Sequence, residues 1–334
     1  MASPARTGPA SNTVPRDARS DAAIQTAACI LFAYQEMGHA CMQALLAMGA
    51  PIAALFTHRD DPHEEIWWHS CAELAERHRI PVYFADKIDD EWIGRIAAMN
   101  PAVIYSFFYR NLLPQRLLDC AGLGAFNVHG ALLPKYRGRA SVNWVLVNGE
   151  SETGVTLHHM VARADAGDIV GQRAVKIDDA DTALTLYRKL VPLGADLIRE
   201  FHPMIAAGCA PRHPQDISAG SYFGRRTPAD GKIDWRWPAR RIHNLVRAVT
   251  HPYPGAWCKL DDRKLMVWQA KIACESGRVG EPGEIVAEDA GGALEVAAGE
   301  GSVLLLRAQL EGGKEHAARV VMGANLLEKS LVLA

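Results

Sequence analysis

The chain has 334 residues, of which 49% are hydrophobic and 22% are charged, and its formal net charge is −2 at pH 7. These proportions are ordinary for a soluble globular protein, and the length predicts two domains. The near balance of acids and bases argues against a surface that coats nucleic acid, although it leaves room for a local basic patch.

The N-terminal segment, residues 1–27, is predicted to be a disordered tail because it is rich in Ala, Ser, Pro, Arg and Asp. It contains no apolar stretch of the kind found in signal peptides. No run of about 18 apolar residues follows it, so we expect no transmembrane helix.

Strands and helices alternate through residues 28–208. The unbroken apolar run "ACILFAY" (28–34) predicts a strand buried on both faces, and a helix is predicted over 38–49. The same alternation continues to a long helix over about 182–207. It predicts an α/β catalytic domain, built on a Rossmann-like, doubly wound parallel sheet, over 28–208.

The composition changes after Gly208. Residues 209–232 are rich in Pro, Gly and Ser and predict an interdomain linker. A helical period follows over 238–250, and then come about five short β-like segments separated by turn residues. Residues 233–334 are therefore predicted to form a small C-terminal β-barrel of the OB-like type.

Common cofactor motifs are missing from the sequence. The first turn, "YQEMGHAC", lacks Gly-x-Gly-x-x-Gly, and the chain has no P-loop, which argues against a bound dinucleotide and against P-loop nucleotide hydrolysis. The seven cysteines are scattered and form no Cys-x-x-Cys pair. They predict reduced thiols in a cytoplasmic protein, and we expect no metal.

A polar cluster is predicted where the strand over 124–130 ends. In "FNVHGALLPKYRGR", strand alternation places Asn127 and His129 on one face. The loop "RADAGD" supplies Asp165 and Asp168. An amide that donates to an oxyanion, an imidazole that moves a proton and a carboxylate that tunes it suit acyl transfer to an amine. A structural hydrogen-bonded pair beside a turn is the other interpretation.

The sequence from "FNVHGALLPKYRGR" to "RADAGDIV" resembles the core of the 10-formyltetrahydrofolate-dependent formyltransferases. In that family an Asn-x-His-x-Ser-Leu-Leu-Pro segment is followed downstream by an Asp in a loop. The resemblance extends from about residue 30 to about residue 310. It implies a Rossmann-like formyltransferase domain joined to a barrel that resembles an oligonucleotide-binding fold, and it implies 10-formyltetrahydrofolate as the formyl-donor co-substrate.

Within the family, "FAYQEMG", "LLPKYRGRA", "NWVLVNGE" and "FGRRTPADG" are most similar to the formyltransferase half of the bifunctional enzyme of polymyxin resistance. That half formylates UDP-4-amino-4-deoxy-L-arabinose for lipid A modification, and the other half is an NAD-dependent decarboxylase. The sequence ends at Ala334 with no further sheet pattern after the two predicted domains, so we expect a stand-alone formyltransferase. Any decarboxylase partner would then be a separate protein.

The resemblance also implies roles for individual residues. Asn127 would polarise the formyl oxygen, His129 would pass a proton between the amine and the folate nitrogen, and Asp165 would hold the ring and favour its protonated form. The donor would be bound by Asn111, Leu112, Leu113, Arg139, Val161, Ala162, Arg163 and Ala164. The diphosphate of the acceptor would be bound by Lys135, Arg137, Arg225 and Arg226. Two residues depart from the family pattern, since Ala131 replaces a Ser and Ser141 replaces a Pro.

The acceptor is open to other interpretations. Methionyl-tRNA formyltransferases share the fold and the trio but carry a basic insertion after the second strand. Residues 57–70 contain four acids, one Arg and two Trp here, which favours a sugar nucleotide over tRNA. A solvated loop would have the same composition. A non-catalytic folate- or nucleotide-binding module of the same fold is a further alternative.

Overall fold

The computed structural model describes residues 18–62, 64–323 and 332–334. The predicted disordered tail lies partly outside these ranges, but its last residues form helix α1 (Ala18–Thr26). Ile24 and Ala27 are buried, and α1 packs against the long helix at the end of the first domain. The prediction was therefore wrong for residues 18–27, because burial of these apolar side chains stabilises an ordered helix.

A seven-stranded sheet forms the centre of the first domain in the described chain. Its strands are β1 (Cys29–Ala33), β2 (Ile52–Thr57), β3 (Val82–Phe84), β4 (Val103–Phe107), β5 (Gly124–His129), β7 (Glu152–His159) and β8 (Ile169–Lys176). The strand order is β3-β2-β1-β4-β5-β7-β8. β1 and β4 are buried at every position, as expected for central strands of a parallel sheet covered on both faces.

The parallel, Rossmann-like part of this sheet is confirmed for β1 to β5. β7 and β8 run antiparallel to their neighbours, which corrects the prediction of a wholly parallel sheet. The register of β5 and β7 pairs Asn127 with His158 and His129 with Thr156. The reversed direction of β7 therefore brings His158 beside Asn127.

Six further helices complete the first domain of the described chain. They are α2 (Gln35–Ala47), α3 (Cys71–Arg77), α4 (Asp90–Ala98), α5 (Gln115–Leu118), α6 (Ser141–Val147) and α7 (Ala183–Ala206). The side chains of Ser70, Asp89 and Thr182 cap the N-termini of α3, α4 and α7 by accepting backbone N–H groups. Across all the described residues, the search for helices long and apolar enough to span a membrane finds none.

The segment predicted as a linker, residues 209–232, contacts the first domain closely. Its strand β9 (Tyr222–Phe223) pairs in parallel with β6 (Arg137–Gly138). The ring of Phe223 stacks on that of Tyr136 with centroids 5.1 Å apart. This segment consequently lies against the loop that follows β5.

An antiparallel sheet follows α8 (Ala239–Val249). Its strands are β10 (Ala256–Leu260), β11 (Arg263–Cys274), β12 (Ile285–Glu288), β13 (Leu294–Ala297), β14 (Ser302–Leu310) and β15 (His316–Ala317), and helix α9 (Ala318–Met322) follows them. The order of the first five is β10-β11-β14-β13-β12, and β15 pairs with β14. This sheet agrees with the predicted C-terminal β domain.

The last residues of the chain join the two edges of this sheet. Ala334 exchanges two backbone hydrogen bonds with Lys259 of β10, at 2.6 and 3.0 Å. On the other side, the N–H of Leu333 donates to the carbonyl of Gly283, next to β12, at 2.9 Å. Leu333 is buried. The segment 332–334 thereby closes the sheet into a barrel-like shape.

Candidate functional site

The predicted trio of Asn127, His129 and Asp165 meets in the structure. Asn127 and His129 lie two residues apart on β5, so their side chains share one face. The loop after β7 brings Asp165 to them. Its Oδ2 lies 3.6 Å from Nδ1 of His129, and its Oδ1 lies 3.3 Å from Nδ2 of Asn127.

A second histidine completes this cluster. Nε2 of His158 lies 3.4 Å from Oδ1 of Asp165 and 3.1 Å from Nδ2 of Asn127. His158 is buried, and its Nδ1 donates to the carbonyl oxygen of His159 at 2.8 Å. The sequence alone does not mark His158 as part of the site, because it does not reveal the antiparallel register that sets His158 opposite Asn127.

The ring of His129 is held by a backbone contact. Its Nε2 lies 2.8 Å from the carbonyl oxygen of Tyr136, which can only accept, so Nε2 carries a proton. The opposite nitrogen, Nδ1, faces Asp165. Because one tautomer is fixed in this way, Nδ1 is the atom that can take up and release a proton beside the carboxylate.

Asp165 is held as a carboxylate. Burial acts to raise its pKa, but His129, His158 and the N–H of Gly138, which donates to Oδ2 at 2.8 Å, together outweigh burial and hold the pKa of Asp165 well below its ordinary value. The amide of Gln215 donates to the carbonyl oxygens of Asp165 and Gly167 at 3.1 and 2.5 Å. Together these contacts hold Asp165 in a left-handed backbone conformation with a φ of +51°.

Asp168, the other acid of the loop, faces away from the cluster. Its Oδ2 accepts from the guanidinium of Arg212 at 3.2 Å, and its carbonyl oxygen accepts from the N–H of His159. The structure thus places Asp165, and not Asp168, next to the two imidazoles.

The cluster opens into a cavity of about 780 Å³ to which both domains contribute. The predicted residues that line it are Asn111, Leu112, Leu113, Asn127, His129, Arg139, Val161, Ala162, Ala164, Asp165, Arg225 and Arg226. Leu112 and Val161 are apolar yet 72% and 43% exposed. Exposed apolar side chains at the wall of a cavity are suited to cover a flat heterocycle.

Three predicted binding residues do not line this cavity. Lys135 and Arg163 are exposed to solvent elsewhere. Arg137 is buried, since pairing of β6 with β9 encloses it, and its Nε has no hydrogen-bond partner among the described residues. The structure therefore gives no support to these three as ligand contacts.

Sequence reasoning missed several residues of the wall. Tyr222, Tyr253 and Asn143 line the cavity from the linker, the segment after α8 and the helix α6. No local period marks these three residues, because they converge only through the packing of distant segments.

Arg226, a predicted residue, has contacts of its own in the wall. It lies over the ring of Trp144, with 4.4 Å between its Cζ and the ring centroid, and donates to the carbonyl oxygen of Asp230.

The acidic segment over 57–70 packs onto the domain. Asp60 accepts from the hydroxyl of Tyr34 at 2.7 Å, and Glu64, which lines the cavity, pairs with Arg110 at 2.5 Å. The ring of Trp67 packs edge-on against Tyr187. Asp60 and Glu64 therefore have partners within the domain.

The two departures from the family pattern are accommodated locally. Ala131 is fully buried, and its carbonyl oxygen accepts from the hydroxyl of Thr156 at 2.7 Å. The hydroxyl of Ser141, the first residue of α6, donates to the carbonyl oxygen of Gly130 at 3.1 Å. The loop after β5 is thus tied to β7 and to α6.

Comparison with family models gives two matches. Residues 35–200 match the model described as "Formyl transferase", and residues 225–325 match "Formyl transferase, C-terminal domain". Together the two matches cover most of the chain. They span the cluster, the cavity wall and the C-terminal sheet.

Solved structures share the fold. An N-formyltransferase from Helicobacter canadensis, in complex with folinic acid and dTDP-3-aminofucose, matches with a TM-score of 0.67 and 18% identity over 87% of this chain and 99% of its own. WlaRD, a sugar 3N-formyl transferase in the presence of dTDP and 5-N-formyl-THF, matches with a TM-score of 0.61 and 19% identity over 84% and 97%. HypX from Aquifex aeolicus, in complex with tetrahydrofolic acid, matches with a TM-score of 0.59 and 16% identity over 90% of this chain and 47% of its own.

Proposed function

Because the chain belongs to the formyl transferase family, and is therefore a formyltransferase, we propose that it moves a formyl group from 10-formyltetrahydrofolate to the amino group of a sugar nucleotide. The main support is the cluster of Asn127, His129 and Asp165, which opens into a cavity large enough for two substrates. Sugar N-formyltransferases among the solved structures of this fold contain folate derivatives together with dTDP or a dTDP-amino sugar.

The proton transfer follows from the contacts of His129. The acceptor amine attacks the formyl carbon, and the nitrogen that becomes cationic must lose a proton while the folate nitrogen gains one. Nε2 keeps its proton, which it donates in a hydrogen bond to the carbonyl oxygen of Tyr136. Nδ1 therefore receives the proton of the amine and passes it to the leaving nitrogen of the folate. Asp165, held as a carboxylate, stabilises the imidazolium that forms between the two steps.

Asn127 would stabilise the oxyanion. Its Nδ2 makes one ordinary contact with His158 at 3.1 Å and a long one with Asp165 at 3.3 Å. A rotation of the planar amide about the Cβ–Cγ bond would exchange the long contact for one to the negative oxygen of the tetrahedral intermediate. A single donor of this kind contributes on the order of 3 kcal/mol to transition-state stabilisation.

The donor would bind where Leu112 and Val161 expose apolar surface, with Arg139 beside it. The guanidinium of Arg139 donates to the carbonyl oxygen of Arg110 at 3.0 Å, which holds it at the cavity wall. The acceptor diphosphate would bind near Arg225, which is exposed and lines the same cavity. We assign Arg226 to the wall behind it, because this side chain already lies on Trp144.

For the acceptor itself we propose UDP-4-amino-4-deoxy-L-arabinose, on the strength of the sequence resemblance. A diphosphate needs only one or two arginines, whereas tRNA needs many phosphate contacts. The net charge of −2 and the four acids of the segment 57–70 are unfavourable for a tRNA surface. Methionyl-tRNA therefore remains the second candidate acceptor.

A competition assay tests this function. Purified enzyme is supplied with 10-formyltetrahydrofolate and with both UDP-4-amino-4-deoxy-L-arabinose and methionyl-tRNA, and the formylated products are separated. We expect formylation of the sugar nucleotide alone. Formylation of methionyl-tRNA alone would establish the second candidate. Tight folate binding without transfer to either acceptor or to dTDP-amino sugars would identify a non-catalytic binding module.

A further inference from the structure

A second group of potential ligands lies at the start of α2, away from the trio. Glu36 and His39 are three residues apart on the helix, so their side chains lie on one face. His69 precedes Ser70, the N-cap of α3, and its side chain reaches the same point. One ligand atom from each of the three lies within 4.8 Å of the others.

The contacts of Glu36 and His69 already join the two helices. The N–H of His69 donates to Oε2 of Glu36 at 2.8 Å, and Nδ1 of His69 lies 2.9 and 3.0 Å from the two carboxylate oxygens. The side chain of His69 is 74% exposed, whereas that of Glu36 is 23% exposed. The group is therefore rigid on its helix side and accessible from solvent through His69.

His39 is the unusual member of the group. It is only 6% exposed, and its ring stacks on that of His69 with centroids 5.0 Å apart. Within the described chain, no hydrogen bond joins either of its ring nitrogens to another group. Neither nitrogen is among the fully enclosed side-chain atoms of the described residues that lack a partner, so a ligand from solvent can reach the ring.

We propose that Glu36, His39 and His69 bind Zn²⁺ or a similar divalent transition-metal ion. Two imidazoles and one carboxylate are a ligand set that zinc accepts, with bonds of about 2.0–2.2 Å and a fourth position left to water. Ligand atoms around a tetrahedral ion with such bonds stand about 3.4 Å apart. The three atoms lie within 4.8 Å of one another, so the side chains must move closer by up to about 1.4 Å when the ion binds.

A metal held there would be a structural ion and not a cofactor of the transfer. Gln35, at the start of the same helix, lines the cavity, whereas Glu36, His39 and His69 do not. His69 lies next to the end of the acidic segment 57–70, which also supplies Glu64 to the cavity wall. The ion would therefore fasten this segment to α2 next to the substrates.

Metal titration of the tag-free full-length enzyme tests the proposal. We expect one Zn²⁺ per chain by calorimetry and, with Co²⁺ as a probe, visible ligand-field bands of a site with imidazole ligands. Mg²⁺ should not compete, because imidazole ligands do not favour it. His69→Ala, which removes an exposed side chain and leaves the fold intact, should weaken Co²⁺ binding by at least about 100-fold, the upper end of the loss for an outer-shell partner.

Two further variants decide the assignment. Glu36→Gln should weaken Co²⁺ binding as His69→Ala does, whereas His78→Ala, which removes an exposed histidine at the end of α3, should leave it unchanged. Zn²⁺ should also raise the melting temperature of the wild-type enzyme and of His78→Ala, but not that of His69→Ala. Absence of stoichiometric Zn²⁺ binding, or equal binding by His69→Ala and His78→Ala, would overturn the proposal.

Discussion

One carboxylate at the centre of the cluster faces two imidazoles. Asp165 lies 3.6 Å from Nδ1 of His129 and 3.4 Å from Nε2 of His158. Only His129 has its second nitrogen held by the carbonyl of Tyr136, while His158 is held by its neighbour His159. We therefore assign different roles to the two rings. His129 moves the proton in our proposal, and His158 positions Asp165 and Asn127.

Replacement of His129 tests the proton transfer. His129→Ala should lower turnover by about 10²–10⁴-fold, the usual contribution of general acid–base catalysis. Binding of the folate donor should be largely retained, because the predicted donor contacts lie on other residues. Steady-state kinetics and calorimetric titration with the donor measure the two effects. His213→Ala, at an exposed histidine, is the matched control, and turnover of His129→Ala near that of the control would contradict the role.

The two acids of the loop after β7 provide a matched pair. Asp165→Asn should lower turnover, because it removes the carboxylate that stabilises the imidazolium formed during the transfer. Asp168→Asn should do much less, since this carboxylate faces Arg212. Steady-state turnover of both variants measures the difference, and equal effects would show that the assignment of Asp165 is wrong.

Restoration of the family residue at position 131 tests the loop after β5. Ala131 is fully buried, and Thr156 donates to its carbonyl oxygen. Ala131→Ser should keep activity, since the added hydroxyl is small and the backbone contact does not change. Turnover of this variant, compared with wild type, measures the effect. A large loss would mean that the loop packs differently from the family pattern.

At the scale of elements, buried polar contacts fix the start of α7. Asp181 is buried and accepts from the N–H of Asp178 at 2.8 Å, from the hydroxyl of Thr185 at 3.0 Å and from Nζ of Lys189 at 2.6 Å. Burial acts to raise its pKa, but these donors outweigh it, so the pKa of Asp181 lies below its ordinary value. The carboxylate therefore contributes to the stability of the helix start.

Because the pKa of Asp181 is lowered in the folded protein, the stability that this carboxylate contributes depends on pH. The contribution of Asp181 is complete above the unfolded pKa of about 3.9 and is lost as the pH falls through the lower folded value. Asp181→Asn should lower the free energy of unfolding by about 1–3 kcal/mol at pH 7, and the difference from wild type should shrink below about pH 3.9. Urea unfolding at both pH values measures it. Asp196→Asn, in an exposed pair with Arg199, should change stability by less than about 1 kcal/mol.

The closure of the C-terminal sheet by residues 332–334 is a second element-scale feature. Leu333 is 2% exposed and Val332 is 51% exposed, so the two neighbours differ mainly in burial. Leu333→Ala should destabilise the protein by about 2–5 kcal/mol, and Val332→Ala should change its stability by less than about 0.5 kcal/mol. Chemical unfolding measures both. Equal effects would mean that the last residues do not close the sheet.

At the scale of the whole molecule, the cavity depends on both domains. The first domain supplies the trio and the proposed donor contacts, while the segment 225–231 and residues 253–255 complete the wall. The chain carries a net charge of −2, so its overall charge does not attract a polyanion. The cavity therefore suits a small acceptor with a diphosphate.

Acceptor binding gives the whole-molecule prediction. Arg225→Ala should raise the KM for the sugar nucleotide more than it lowers kcat, because it removes a contact made equally in the ground state and the transition state. Arg163→Ala, at an exposed arginine outside the cavity, is the matched control and should change neither constant. Sugar-nucleotide turnover should depend only weakly on salt. Strongly salt-sensitive formylation of methionyl-tRNA would contradict the proposed acceptor.

Features with a short period follow from the amino-acid sequence alone. Alternation placed Asn127 and His129 on one strand face, and the apolar run over 28–34 located β1. These predictions succeeded because side-chain direction repeats every two residues in a strand. The domain boundary after Gly208 stays a prediction. The resemblance to a family suggested the role that we propose for Asp165, which no local period could supply.

The remaining features emerge only from tertiary packing, because strand direction and long-range contact leave no local period. The sequence of β7 is compatible with a parallel and with an antiparallel strand, yet only the antiparallel register sets His158 beside Asn127. His39 and His69 are 30 residues apart in sequence and stack only because α2 and α3 pack together. Leu333 closes the C-terminal sheet because the chain returns to Gly283. Such contacts depend on how distant segments share buried area, and that is a property of the folded chain as a whole.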